Sequence, residues 1–174
     1  MLHDKTNTSD SVEISKNGEL AHSSVVDGVD VNSRHLKYNM HLVLRDKDGN
    51  IKDERFLHNT VTTAGKNAIA DQILASPTLA KPGWMAIGTG SPAATLLGTE
   101  ISRVALTSKT RGANAIITFV GNWAAGSGTG ALTEAGIFDV VTANTVNMWA
   151  SQSFSVINKG ALDVLSISWT LTIS

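Results

Sequence analysis

Gly88, Gly90 and Ala93, within WMAIGTGSPAATLLGTE, have the G-x-G-x-x-A spacing of a turn that holds a dinucleotide pyrophosphate. The chemistry such a turn performs is anion binding: glycines let the backbone approach, and the first amides of a following helix face the phosphate. It also needs a βαβ unit around it and an acid about 20 residues further on for the ribose. Here Pro92 falls inside the turn, Gly98 soon follows, ISRVALTS alternates like a strand, and Lys109 and Arg111 occupy the region where the acid belongs. The stretch therefore reads as a tight glycine-rich reversal after a strand at residues 84–88, stiffened by Pro92.

Other residue sets invite chemistry and fail on spacing. Asp46, Asp48 and Asn50 match the first three ligands of an EF-hand loop, but positions six and twelve are Ile51 and Leu57 where glycine and glutamate are required. Asp48-Gly49 reads instead as the turn of a β-hairpin. The five histidines, His3, His22, His35, His41 and His58, show no metal-ligand spacing, and none follows His58 to serve a serine nucleophile in the rest of the chain. Glu134 and Asp139 resemble a glycosidase pair only in residue type. Flanking Gly136, they read as solvent-facing strand or turn residues. No catalytic, metal or cofactor-binding residue is assigned, and no cofactor is expected. Trp84, Trp149 and Trp169 sit in apolar runs and read as core. Trp123, in GNWAAGSGTG, reads as a loop residue and the best candidate for contact with a partner or a glycan.

The elements that must position these residues follow from periodicity. Residues 1–36 have none, and their apolar beads, Val25, Val26 and Val29 among them, are candidates for docking on a neighbour from an extended arm. VTTAGKNAIADQILASP predicts one helix near 63–75, N-capped by Thr62 or Thr63, with Ile69 and Ile73 on its apolar stripe and Pro77 ending it. Beyond it, strands are expected at 84–88, 102–108, 114–120, 132–139, 147–157 and 163–173. In the last, Leu165, Ile167, Trp169, Leu171 and Ile173 alternate with Ser and Thr. Short strands, glycine-rich turns and a single helix predict a mainly β protein. The expected fold over 37–174 is an antiparallel, jelly-roll-like β-sandwich with one short covering helix, preceded by the arm.

Charge is unevenly placed. Residues 1–58 carry 18 of the 29 charged residues, whereas 115–174 carry only Glu134, Asp139, Lys159 and Asp163. A Ser/Thr/Asn-rich, weakly charged surface suits contact with other proteins. The net charge of −1 gives no field for nucleic acid or an anionic membrane, so neither is an expected partner. Without cysteine there is no disulfide framework and no thiol chemistry.

Four motifs occur in order: HNTVTTAGKNAIADQIL, MAIGTGSPAATLLGTEISR, ALTEAGIFD and MWASQSFSVINKGALDVLSISWTLTIS. Together, over residues 56–174, they resemble a group of small tailed-bacteriophage virion structural proteins. The resemblance implies a β-sandwich particle component without enzymatic activity. Gly88 and Gly90 would shape the loop, Glu134 and Gly136 would belong to the shared strand, and Lys159 would sit at a hairpin tip. The expected role is capsid decoration or cementing of the shell within the virion. The alternative is a tail-fibre, tail-tip or baseplate component, with carbohydrate binding for receptor recognition. The expected partners are other virion proteins and further copies of the chain, a trimer being the expected state.

Overall fold

The computed structural model describes residues 25–26, 29–30, 37–145 and 147–172, and the chain divides into two units, Met1–Arg34 and His35–Ser174. In the first unit β1 (Val25–Val26) pairs antiparallel with β2 (Val29–Asp30), Val26 opposite Val29. The sequence between them is Asp-Gly, the pair favoured in two-residue hairpins. The segment read as an extended arm thus contains a short hairpin. The side chains of Val25, Val26 and Val29 lie outside the described residues.

In the second unit the strands are β3 (Lys37–Arg45), β4 (Ile51–Val61), β5 (Trp84–Gly88), β6 (Glu100–Ala105), β7 (Ser108–Arg111), β8 (Ile116–Trp123), β9 (Gly130–Phe138), β10 (Met148–Lys159) and β11 (Val164–Thr172). All pairings are antiparallel, in the order β6-β5-β9-β10-β4-β3-β11-β8-β7. The ribbon folds into two layers, five strands from β4 to β7 and four from β6 to β10. The fold is therefore mainly β and sandwich-like. The long β4 joins the layers: Tyr38 to Arg45 of β3 run along most of its length, while its last residues, Thr60 and Val61, pair with Ser151 and Ala150 of β10.

One expected strand divides for a physical reason, and one expected turn forms where the sequence places it. The run expected at 102–108 is split, because Leu106 donates its N–H to the Gly83 carbonyl and Thr107 to that of Val120, carrying the chain from one layer to the other. At the β3–β4 turn, Asp46 Oδ1 accepts the amides of Asp48 and Asn50, both at 2.9 Å, and Gly49 takes φ +87°. The side-chain hydrogen bond from Asn50, first among several, holds the Asp46 carboxyl below its ordinary range. The calcium-like trio is a turn that satisfies itself.

Helix α1 (Thr63–Asp71) starts as the sequence predicts. Thr62 Oγ1 accepts the Gly65 N–H at 2.9 Å, and its hydroxyl donates towards the Met148 and Trp149 carbonyls of β10. Gly65 is obligatory here, since a Cβ would lie 2.0 Å from the Trp149 carbonyl oxygen. The helix ends a turn earlier than predicted. Asp71 Oδ2 accepts the amides of Thr78 and Leu79 and draws the following chain around, leaving Ile73 at 83% exposure and Leu74 at 60%. The buried side of the helix is therefore Gly65 and Ala68, with Ile69 partly buried against the core and only Ile73 left out of the expected stripe. Thr62→Ala is expected to cost about 1–2 kcal/mol, with Thr62→Ser close to wild type, as read by urea denaturation.

The core lies between the layers. Leu165, Ile167, Trp169 and Leu171 of β11 meet Met40, Leu42 and Leu44 of β3 and Met85 and Ile87 of β5. A second, smaller cluster of Ala86, Leu97, Phe138 and Met148 occupies the opposite face of the four-stranded layer. There the loop between β5 and β6 folds back over the sheet. With both faces covered, Met85 to Gly88 are all buried, which explains the unbroken apolar run.

Candidate functional site

As the sequence predicts, no helix follows the glycine turn, and three amides of its loop converge instead on a carboxylate of the protein itself. Glu134, fully buried on β9, stands opposite Gly88 in the sheet and points under the returning loop. Its Oε1 accepts the N–H groups of Gly90 at 2.9 Å and Thr99 at 2.8 Å, and its Oε2 accepts that of Gly98 at 2.8 Å. No described cation pairs with this carboxylate; three amide dipoles hold the charge. Gly88 and Gly90 are needed because a Cβ at Gly88 would lie 2.4 Å from both Glu134 Oε1 and the Thr99 carbonyl oxygen, and one at Gly90 would lie 2.7 Å from the Thr99 nitrogen and 3.0 Å from Glu134 Oε1. Thr133 donates its hydroxyl to the Gly90 carbonyl at 2.6 Å. The glycines thus make room for a protein carboxylate where a dinucleotide fold would admit phosphate. The expectation that Glu134 faces solvent is corrected.

A second buried charge lies nearby on the same loop-covered face. Arg103 grips Glu100 through Nε at 2.8 Å and Nη2 at 2.7 Å, donates Nη1 to the Val140 carbonyl at 2.8 Å, and lies 3.8 Å above the Phe138 ring. Asp139 is half-buried rather than solvent-facing; burial pushes its carboxyl up, and one oxygen has no partner among the described residues. Glu134 and Asp139 belong to separate surroundings and form no acid pair.

Lys159, expected at a hairpin tip, is buried at the end of β10. Its Nζ donates to the carbonyls of Asp163 at 2.7 Å and Ala124 at 3.2 Å. Burial pushes this ammonium down, partly offset by the Asp163 charge. Asp163 in turn bonds Lys52 Nζ at 2.5 Å and the Gly160 amide at 2.7 Å, and the Lys52 contact chiefly holds its carboxyl below the ordinary range. Asp53, paired with Arg55, is lowered in the same way. A carboxyl whose folded value is depressed contributes stability above its ordinary value of about 4 and loses it as pH falls through the folded value. Stability is accordingly expected to drop on acidification below about pH 4, and Asp163→Asn to flatten that drop in denaturation midpoints measured from pH 7 to 2.5.

Trp123 is corrected too. It ends β8, paired with Leu165 of β11, and its side chain is fully buried, so it offers no face to a partner or a sugar. Trp149 and Trp169 are core as expected, and Trp84 is half-buried against the smaller cluster. His41 stacks on Phe56 and bonds Glu54 at 2.8 Å; His58 bonds Asn39 at 2.7 Å. His3, His22 and His35 lie outside the described residues. Among the described residues there is no group of three potential metal ligands, and no helix is long and apolar enough to cross a membrane.

One surface feature escaped the motifs. A cleft of about 490 Å3 opens beside β7. Its apolar walls are Ile69 of α1, Pro82, Trp149 of β10, Ile117 and Phe119 of β8, and Leu171 of β11. The strand register explains its chemistry. Leu171 pairs with Ile117 and Ile117 with Arg111, while Trp169 pairs with Phe119 and Phe119 with Lys109. One face of the layer therefore runs apolar across two strands and ends in two cations on the short edge strand. Lys81 adds a third charge, and Lys109 Nζ donates to the Pro82 carbonyl at 3.0 Å across the mouth. None of the three cations belongs to an ion pair among the described residues, and no acid lines the cleft. The legible signal was Lys109 and Arg111 two apart, followed by Ile117 and Phe119 two apart.

Comparison with protein-family models, curated proteins and solved structures gives no match.

Proposed function

We propose that the chain is a bacteriophage virion structural protein acting through protein–protein contacts, as a capsid-decorating or cement component. The observation that carries this reading is the internal use of the shared motif residues. Gly88, Gly90 and Glu134 lock a loop onto the sheet, and Lys159 ties the β10–β11 turn to its neighbours. These are the demands of a rigid body that presents surfaces. The weakly charged C-terminal third and exposed apolar side chains such as Phe56, Ile73 and Leu162 supply surface for partners. Cementing then works mechanically, by burying apolar area between subunits at about 25 cal/mol per Å2 before association costs. A tail or baseplate position uses the same surfaces.

The test is sedimentation of phage particles from a lysed host on a density gradient, with the chain detected by antibody. Cement function predicts co-sedimentation with full heads and a lower rupture temperature for particles lacking the chain. Signal with detached tails favours the tail position, and signal only in the soluble fraction overturns the virion reading.

A further inference from the structure

We propose that the basic-rimmed apolar cleft beside β7 receives the Val-Asp hairpin of the N-terminal arm from a second copy of the chain. This rests on the assembly reading above and names its contact. The cleft wants an occupant that is apolar and negatively charged: its walls are aliphatic and aromatic, its rim carries Lys81, Lys109 and Arg111 outside any described ion pair, and it holds no acid. Residues 17–33 are the complementary stretch of this sequence. They contain Glu19, Asp27 and Asp30, no lysine or arginine, and the valines of VVDGVDV. The hairpin β1–β2 lies within that stretch. A volume of about 490 Å3 falls within the about 300–1,000 Å3 range of sites that enclose several apolar groups.

The described body begins at β3, where Lys37 pairs with Thr172, the chain neighbour of the cleft residue Leu171. Six residues, 31–36, separate the hairpin segment from β3, a tether of about 20 Å when extended. Exchange of an identical element between protomers is an inexpensive route to a closed homo-oligomer. Placing two aspartates against three exposed cations adds specificity for the hairpin over other apolar segments.

The test uses the full chain and sedimentation velocity. One variant reverses the arm, Asp27→Lys with Asp30→Lys; the other reverses the cleft, Lys109→Glu with Arg111→Glu. Melting curves within a few degrees of wild type establish that both bodies are folded. Wild type is expected to self-associate, and each variant alone to associate at least about tenfold more weakly. An equimolar mixture of the two is expected to assemble, because each arm then meets a cleft of opposite charge. A mixture that stays monomeric while wild type associates overturns the arm-to-cleft contact and leaves the virion reading standing. Reversals without effect on association do the same. A wild type that is monomeric throughout the concentration range also overturns the inference, while the gradient experiment decides the virion reading separately.

Discussion

Replacing Glu134 with alanine is expected to lower the stability of the body by about 3–5 kcal/mol and its melting temperature by about 10 °C. The cost arises on the side of the partners. Gly90, Gly98 and Thr99 each donate an amide to this carboxylate at 2.8–2.9 Å. Without it, three donors beneath a folded loop lose an ionised acceptor, and each orphaned buried N–H costs about 1–3 kcal/mol. Glu134→Gln keeps the volume but turns one acceptor oxygen into an NH2 group that confronts a donor, so about half the loss is expected. Glu134→Asp leaves the acceptor short of the loop and should resemble alanine more than glutamine. Urea denaturation separates the three.

The second large effect belongs to Arg103 and Glu100, whose side chains are 3% and 1% exposed. Burying both charges is unfavourable in itself, and what holds them is geometry: two parallel N–H···O bonds, a third bond to the Val140 carbonyl, and the Asn144 amide donating to Glu100 Oε2 at 3.2 Å. Removing one partner leaves an uncompensated charge. Arg103→Met and Glu100→Gln are each expected to cost about 3–5 kcal/mol. The double variant should cost clearly less than the sum of the two, a coupling of about 2 kcal/mol or more, because neither charge is then stranded. Strict additivity in that cycle would mean that the two side chains act independently.

The fold was largely readable because its signals are local. Period-two alternation in β11, the Asp48-Gly49 turn and the Thr62 cap each decide a structure within a few residues. The buried charges were not readable, because what buries them is distant. Glu134 sits on a strand whose outer face is covered by a loop some 35–44 residues earlier in the chain, and local pattern gives no sign of that cover. Trp123 was misplaced for the same reason. Its glycine-rich neighbourhood reads as loop, yet pairing with Leu165, far along the chain, extends β8 to include it. Lys159 looks like a turn residue by sequence and is turned inward by two carbonyls that only the folded β10–β11 turn brings together. The cleft depends on registers across β7, β8 and β11, and so on three pairings that sequence alone does not fix.

These misreadings share one physical cause. Glu134 and the glycine-rich loop that resembles a phosphate turn satisfy one another across the fold, and the surfaces left outside are apolar, Ser/Thr-rich or, at the cleft, cationic. On the proposed reading, function is then carried by what the body presents.

Amide hydrogen exchange at Gly90, Gly98 and Thr99, measured with and without millimolar NAD or ATP, tests that claim most directly. Strong protection in the free protein, unchanged by either nucleotide and lost in Glu134→Ala, is the expected result. Rapid exchange at these amides in the free protein, with protection appearing only on nucleotide addition, would mean an open anion site and contradict it.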